Sequence, residues 1–148
     1  MSRHPIVFAV VACLSLVGCV DEQAAMKLRP GVKLELYVVS DSETNATKPL
    51  KDADRDEMLH LVTPPIITGK DVTAASVVTD EVGSVSLSVK VDNAGAKRLE
   101  AATAVMGGRI ALVIDGNMVN APVVHAQISS KFMTSSAYTE ADWKALIE

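Results

Sequence analysis

Residues 107–124 read GGRIALVIDGNMVNAPVV, and the prediction of the fold starts from this segment. Asp115-Gly116 stands between two apolar runs, and glycine accepts the positive φ of a tight turn, so the stretch predicts a β-hairpin. The first arm, IALVI, carries no polar side chain on either face, which predicts a strand buried on both faces. Proline cannot donate a ladder hydrogen bond, so Ala121-Pro122 indicates an edge or a bulge. The hairpin is therefore the predicted core.

A strand and a helix are predicted immediately before this hairpin. Residues 85–91 alternate apolar and polar side chains, which is the pattern of a half-buried strand. Asp92 or Asn93 is the expected N-cap of the helix that follows. The residues of its predicted buried face are Ala96, Leu99, Thr103 and Met106. Gly107 and Gly108 are expected to end the helix through positive φ.

The remaining segments complete the fold prediction. Strands are expected at residues 32–38, 75–79 and 131–134, and residues 40–56 are mostly polar and are predicted to form a long loop. The capping box that begins at Thr139 predicts a C-terminal helix. The expected fold class is α+β, with a mostly antiparallel sheet of about five to six strands covered by two helices.

Composition narrows the classes of function. The 148-residue chain is 49% apolar but only 3% aromatic, so an aliphatic core is expected, with few aromatic platforms for stacking bases or sugars. The net charge is −4 and no basic run is present. Because nucleic-acid affinity rests on clustered Lys and Arg, a nucleic-acid partner is not expected. The length predicts one domain.

The N-terminus resembles a bacterial lipoprotein signal peptide. Arg3 and His4 form a short positive region, and residues 6–17 form an apolar run shorter than the ~20 residues that span a bilayer. The next letters, LVGC, end at Gly18 and Cys19 and resemble a lipobox. This resemblance implies cleavage between Gly18 and Cys19 and acylation of Cys19. An ordinary secretory signal, or an uncleaved apolar segment, is the alternative.

The predicted division of the chain follows from that resemblance. It consists of a signal peptide at 1–18, a tether at 19–31 and a domain at 32–148. Cys13 would leave with the signal peptide and Cys19 would be acylated, so no thiol would remain for a disulfide, a metal or a nucleophile. The residue after Cys19 is valine rather than aspartate, which by resemblance to Gram-negative sorting rules favours the outer membrane over the inner one.

One acidic motif begins like a metal site but does not continue as one. Asp52-x-Asp54-x-Asp56 matches the start of a calcium loop. Glu57 and Thr63 stand where that loop needs a glycine and a bidentate glutamate. The motif is therefore interpreted as a solvated acidic loop.

The histidines and serines do not form a recognisable catalytic motif either. His60 and His125 are the histidines that would remain after cleavage, and neither has a second histidine or a carboxylate at metal-ligand spacing. The serines near the C-terminus do not sit in a nucleophile elbow. The expectation is a protein that is not an enzyme, with no catalytic residues, no metal, no cofactor and no small-molecule substrate.

The order of the pieces around the hairpin resembles a known domain. The segments that carry the resemblance are NAGAKRL at 93–99, GRIALVIDG at 108–116, VNAPVV at 119–124 and YTEA at 138–141. They resemble the head subdomain of the first periplasmic domain of SecD, a membrane component of the bacterial protein-export machinery. The resemblance is strongest over 66–147. Its structural motif residues are Gly108, Asp115, Gly116, Ala121 and Pro122.

The resemblance implies contact with non-native polypeptide on the periplasmic side. The expected function is a lipid-anchored envelope binding module that contacts unfolded polypeptide or protein-export subunits, facing the periplasm. A sheet edge near Ala121-Pro122 or Phe132 is the expected place where an extended segment adds as a strand. The alternative is a structural or interaction lipoprotein that reuses this fold with an unrelated envelope partner.

Overall fold

A computed structural model of the chain describes residues 26–52 and 54–148. The predicted signal peptide, Cys13, the predicted cleavage pair Gly18-Cys19 and the first part of the predicted tether lie outside the described residues. Among the described residues, neither α-helix has the length and the apolar composition that a bilayer-spanning helix requires.

The described residues form nine strands, two α-helices and one 3₁₀ turn. In chain order these are β1 (Leu34–Ser40), β2 (Thr47–Asp52), β3 (Glu57–Val62), β4 (Ile67–Thr68), the 3₁₀ turn (Gly69–Asp71), β5 (Val72–Thr79), β6 (Val85–Val91), α1 (Asn93–Thr103), β7 (Ile110–Ile114), β8 (Asn117–Asn120), β9 (Lys131–Ser135) and α2 (Glu140–Lys144). Sheet I has the strand order β2-β3-β1-β7-β8, with β4 also paired to β1, and sheet II has the order β5-β6-β9.

The predicted α+β class with antiparallel pairing is confirmed, but the single sheet of five to six strands is wrong. The strands divide between two sheets because alternation identifies a strand without specifying which neighbours it pairs with. Both sheets contribute to one apolar core, for example through Leu34 and Leu36 of sheet I and Leu87 of sheet II. Leu99 of α1 and Trp143 of α2 complete this core.

β7 is the most deeply buried strand, and all five of its residues are buried. Ile110, Leu112 and Ile114 belong to the core shared by the two sheets. Ala111 and Val113 belong to a second apolar cluster on the other face of sheet I. The prediction that this arm is buried on both faces is confirmed, because β7 lies between β1 and β8 and has apolar neighbours above and below.

Sheet I curls around the second cluster. The buried members of that cluster are Tyr37, Leu59, Leu61, Ala111, Val113 and Ala121. The two end strands of the sheet, β2 and β8, contact each other. The curl therefore encloses apolar side chains that a flat sheet would leave exposed to water.

β2 corrects the predicted loop at 40–56. Residues 47–52 pair with β3 over six positions, from Thr47↔Val62 to Asp52↔Glu57. Their sequence, TKPLKD, lacks an apolar alternation because β2 is an end strand, and Lys48 and Pro49 are exposed. A proline fits such a strand, since the outer side of an end strand needs no donor.

The β7–β8 turn forms as predicted. Asp115 has φ 50° and Gly116 has φ 83°, so both central residues are left-handed, as in a type I′ hairpin turn. The Asp115 carboxylate accepts the Lys33 N–H at 2.9 Å, which joins the turn to the start of β1. The pairing shifts register between Leu112 and Val113, so the second arm has both the edge position and the bulge that its proline indicated.

α1 forms at the predicted place, with Asp92 as its N-cap. The Asp92 carboxylate accepts the Gly95 N–H at 2.7 Å. Leu99 and Thr103 are buried as predicted. The prediction that Met106 shares this face is wrong, because the helix ends at Thr103 and Met106 is 72% exposed beyond it.

An ion pair holds α1 against the 3₁₀ turn. Arg98 donates to the Asp71 carboxylate at 2.6 Å, and the Thr68 N–H donates to it at 2.8 Å. Partial burial raises the pKa of Asp71, but the hydrogen bonds from Thr68 and Arg98 and the charge of Arg98 outweigh it and hold that pKa below its ordinary value. The contact fixes the direction of α1 and thereby places Leu99 in the core.

Candidate functional site: a groove between the two sheets

The candidate site lies where the last strand of sheet I approaches the last strand of sheet II. β8 ends sheet I and β9 ends sheet II. The connection between them, residues 121–130, leaves β8 and returns to the start of β9. Because β2 contacts β8 on the other side, the free edge that faces this connection is that of β9.

The pairing register shows which backbone groups of β9 face outward. The Val91 N–H donates to the Ser130 carbonyl at 2.9 Å. Antiparallel pairing alternates, so the backbone groups of Phe132 and Thr134 face β6, and those of Lys131, Met133 and Ser135 turn away from it. Apart from the Ser135 carbonyl, these outward groups bond to no other group in the described part of the chain.

An apolar cavity of about 310 Å³ lies beside this edge. Its walls come from both sheets, from α1 and from the 121–130 connection, and they include Leu99, Leu112, Val124, Ile128 and Phe132. Val123 and Met133 also line it and are 40% and 58% exposed. The exposed apolar rim and the apolar interior suit side chains of an extended apolar segment.

Asn120 lines both this cavity and a second one. Its Nδ2 donates to the Thr134 Oγ1 at 2.8 Å and to the Ser135 carbonyl at 2.5 Å, which joins β8 to β9. The second cavity, of about 340 Å³, shares four lining residues with the first, namely Asn120, Pro122, Met133 and Thr134. Asp52 and Asp54 line its far side, so it is the more polar of the two.

The 121–130 connection is fixed near both ends by partly buried hydrogen bonds. At its start, Arg109 Nε donates to the Ala121 carbonyl at 2.9 Å. At its end, the Ile128 N–H donates to the Thr103 Oγ1 at 2.8 Å. The cavity wall is therefore held on one side by Arg109, the residue before strand β7, and on the other side by Thr103 at the end of helix α1.

Arg109 also holds the β2–β3 hairpin against the same corner of the molecule. Its Nη1 donates to Glu57 Oε1 at 2.8 Å, and its Nη2 lies 3.9 Å from Asp52 Oδ2. Asp52 is only 5% exposed. The interpretation of Asp52-x-Asp54-x-Asp56 as a solvated acidic loop is therefore wrong for Asp52, which ends strand β2 and is buried next to the Arg109 guanidinium.

The structural motif residues lie at two separate places. Ala121 and Pro122 lie at the groove, where the Pro122 carbonyl accepts the Ile110 N–H at 3.2 Å. Gly108 lies next to the groove, since its carbonyl accepts the Val124 N–H at 2.7 Å. Asp115 and Gly116 form the turn at the other end of β8 and do not line either cavity.

The two histidines are also apart. His125 is exposed at the rim of the first cavity, and His60 lies on β3 in sheet I. Within residues 26–52 and 54–148 no cluster of three or more His, Cys, Asp or Glu side chains could hold a metal ion. The arrangement at the groove can bind an apolar chain through its cavity and a backbone through the β9 edge.

Sequence reasoning missed Asn120, Thr134 and Arg109 as residues of the site. The only sequence signal for Asn120 was its place beside Ala121-Pro122 at the end of the hairpin. Nothing local links it to Thr134, which is 14 residues away.

Comparisons with known proteins agree on one domain. Residues 45–147 match the family described as SecDF, P1 head subdomain. The protein translocase subunit SecD of Rhodobacter capsulatus is 32% identical over 106 residues, which cover 66% of this chain and 19% of that protein. A crystal structure of SecDF in its super-membrane-facing form has a TM-score of 0.56 and 25% identity, over 73% of this chain and 17% of that one.

A second solved structure shows the same fold. It is described as a membrane component SecDF that enhances protein export, and it matches with a TM-score of 0.55 and 23% identity. The match covers 80% of this chain and 60% of that one. The chain thus spans less than two thirds of each relative, and only 19% of the SecD protein.

Proposed function

The chain belongs to the SecDF P1 head subdomain family. On this basis we propose that it is a lipid-anchored, non-enzymatic binding module of the bacterial cell envelope. Its task is contact with non-native polypeptide, or with protein-export components, on the periplasmic side. The relatives are named as translocase subunits, which supports a role connected with export rather than catalysis.

The single observation that supports this function most is the free β9 edge beside an apolar cavity. The outward backbone groups of Lys131 and Met133 can pair with an extended segment, as in strand addition. Alternate side chains of that segment would enter the cavity next to Phe132 and Ile128. A folded protein has few unpaired extended apolar segments, so this mode selects non-native chains.

The proposed anchor rests on the sequence alone. Cleavage between Gly18 and Cys19 would make Cys19 the first residue, and its acyl chains would hold the domain on a membrane, with the outer membrane favoured over the inner one. Residues 20–25 would then separate the anchor from Met26, at most about 3.6 Å each. Cys19→Ser should move the protein from the detergent-rich to the aqueous phase in a phase-partition assay.

Site-specific photocrosslinking tests the proposed contact. A photoreactive residue at Met133, on the groove rim, should crosslink to a chemically unfolded, reduced and alkylated client protein and not to the same protein in its folded state. Val82 provides the matched control, because it is also apolar and exposed (86%) but lies in the turn between β5 and β6, which contributes no residue to either cavity.

Two outcomes would contradict this function. Equal crosslinking from Met133 and Val82 would mean non-specific contact. In cells, capture of one stoichiometric envelope protein that does not vary with export load would favour the alternative, an interaction lipoprotein that reuses the fold with an unrelated partner.

A further inference from the structure

Asn120 occupies part of the edge that a bound segment would use. The Ser135 carbonyl is one of the outward groups of β9, and the Asn120 side-chain amide donates to it at 2.5 Å. A second bond goes to the Thr134 hydroxyl at 2.8 Å. An amide N–H of a side chain therefore stands where the N–H of an added strand would otherwise bond.

The same contact divides the groove. The two cavities, of about 310 and 340 Å³, share Asn120, Pro122, Met133 and Thr134, so the Asn120–Thr134 contact lies at the boundary between them. On one side the edge offers the outward backbone groups of Lys131 and Met133, and the apolar cavity is lined here by Phe132 and Met133. On the other side lies the more polar cavity, which is lined by Ser135 and Ser136 at the end of this edge and by Asp52.

We propose that Asn120 is a removable end wall of the groove. With the amide in place, the paired part of a bound segment is limited to the Lys131–Met133 portion of β9. When the amide swings away, the two cavities join, the Ser135 carbonyl becomes available, and a longer extended segment pairs along the whole edge. This inference rests on the proposed function, and it assigns Asn120 a positioning role that sets segment length.

The size of the effect follows from the bonds that a client must replace. The bond in direct competition with the client is the one from the amide to the Ser135 carbonyl. A single neutral hydrogen bond makes a net contribution of about 0.5–1.5 kcal/mol, since the freed amide finds water. Removing the amide should therefore strengthen binding of a long segment by about 2- to 10-fold. A short segment does not reach Ser135, so its affinity should not change.

The test compares peptide lengths in Asn120→Ala. The probes are two fluorescent peptides of alternating Val and Thr, one of about four and one of about ten residues, the usual range of strand lengths. Fluorescence anisotropy should show a gain of about 2- to 10-fold for the long peptide only. Asn117→Ala is the matched control, because Asn117 lies on the same strand, is exposed, lines neither cavity and directs its amide to the Asp115 carbonyl.

A purely structural role for Asn120 predicts a different result. If the amide only joins the two sheets, Asn120→Ala should melt at a lower temperature than the unaltered protein. Its affinity for each peptide should then be equal to that of the unaltered protein or weaker. Thr134→Val removes one of the two bonds and should give a smaller gain for the long peptide, which keeps the test usable if Asn120→Ala folds poorly.

The remaining outcomes separate this inference from the function on which it rests. The unaltered protein could bind the peptides while neither variant gains affinity for the long peptide. That result would contradict the proposed role of Asn120 and leave the proposed function standing. Failure of the unaltered protein to bind either peptide, together with absence of crosslinks at Met133, would overturn both.

Discussion

The two hairpins of sheet I are built in opposite ways. The β7–β8 hairpin has a first arm in which every residue is buried, and its Asp115-Gly116 turn is visible in the sequence. The β2–β3 hairpin has an outer arm, TKPLKD, in which three of the six residues are exposed, and its turn includes Asp56 with φ 50°. Yet the β2–β3 pair has the longer register, six positions against three.

This difference shows that strands in this domain are stabilised by two sources of interactions. β7 is a strand because its own apolar side chains must leave water on both faces. β2 is a strand because β3 offers it a ladder, and because Arg109 holds both strands through Asp52 and Glu57. The first source lies within the segment and the second lies in distant residues.

The largest expected effect comes from truncating the apolar arm. Leu112→Ala should lower the free energy of unfolding by about 2–5 kcal/mol, since Leu112 is 1% exposed and its loss leaves a cavity between the sheets. Leu50→Ala in β2 should cost about 1 kcal/mol, since Leu50 is only half-buried. Chemical denaturation measures both, and equal losses would remove the contrast between the hairpins.

The next effect separates the β2–β3 hairpin from the rest of the sheet. Arg109→Met leaves the buried Asp52 without its cation and the Ala121 carbonyl without its donor, so about 2–3 kcal/mol should be lost. Amide hydrogen exchange should rise most within residues 47–62.

The exposed ion pair of the same hairpin supplies the control for Arg109→Met. Lys51 and Asp56 are 2.6 Å apart with side chains 61% and 84% exposed. Lys51→Met should therefore change stability by less than about 1 kcal/mol. If Arg109→Met were equally mild, the hairpin would be held by its ladder alone.

The smallest effect concerns the turn that the sequence reveals. Asp115→Ala places alanine at a left-handed φ of 50° and removes the hydrogen bond to the Lys33 N–H, so about 1–2 kcal/mol should be lost. Asp115→Asn tolerates the same φ and should lose clearly less. A thermal melt that shows no change for the alanine variant would mean that the turn follows from the strands and does not help to fix them.

The fold was largely predictable from local patterns, and the groove was not. The strand at 85–91, the helix after Asp92 and the Asp115-Gly116 turn each follow from side chains close together in sequence. The groove depends on Asn120 reaching Thr134 and Ser135, and on Arg109 reaching Ala121 and Glu57. Such contacts join segments that are distant in sequence, and no local pattern in either segment predicts the contact.

By itself the sequence determined which segments leave water and where the chain must turn. Periodic burial and left-handed turn positions are local consequences of hydrophobicity and backbone sterics, so residues 107–124 specify their hairpin without help. Only the tertiary structure decided that the strands form two sheets rather than one, that β2 joins sheet I, and that β8 and β9 leave a groove between their edges. Those outcomes depend on which strands pair and on which buried polar groups find partners, and both are settled only when distant segments meet.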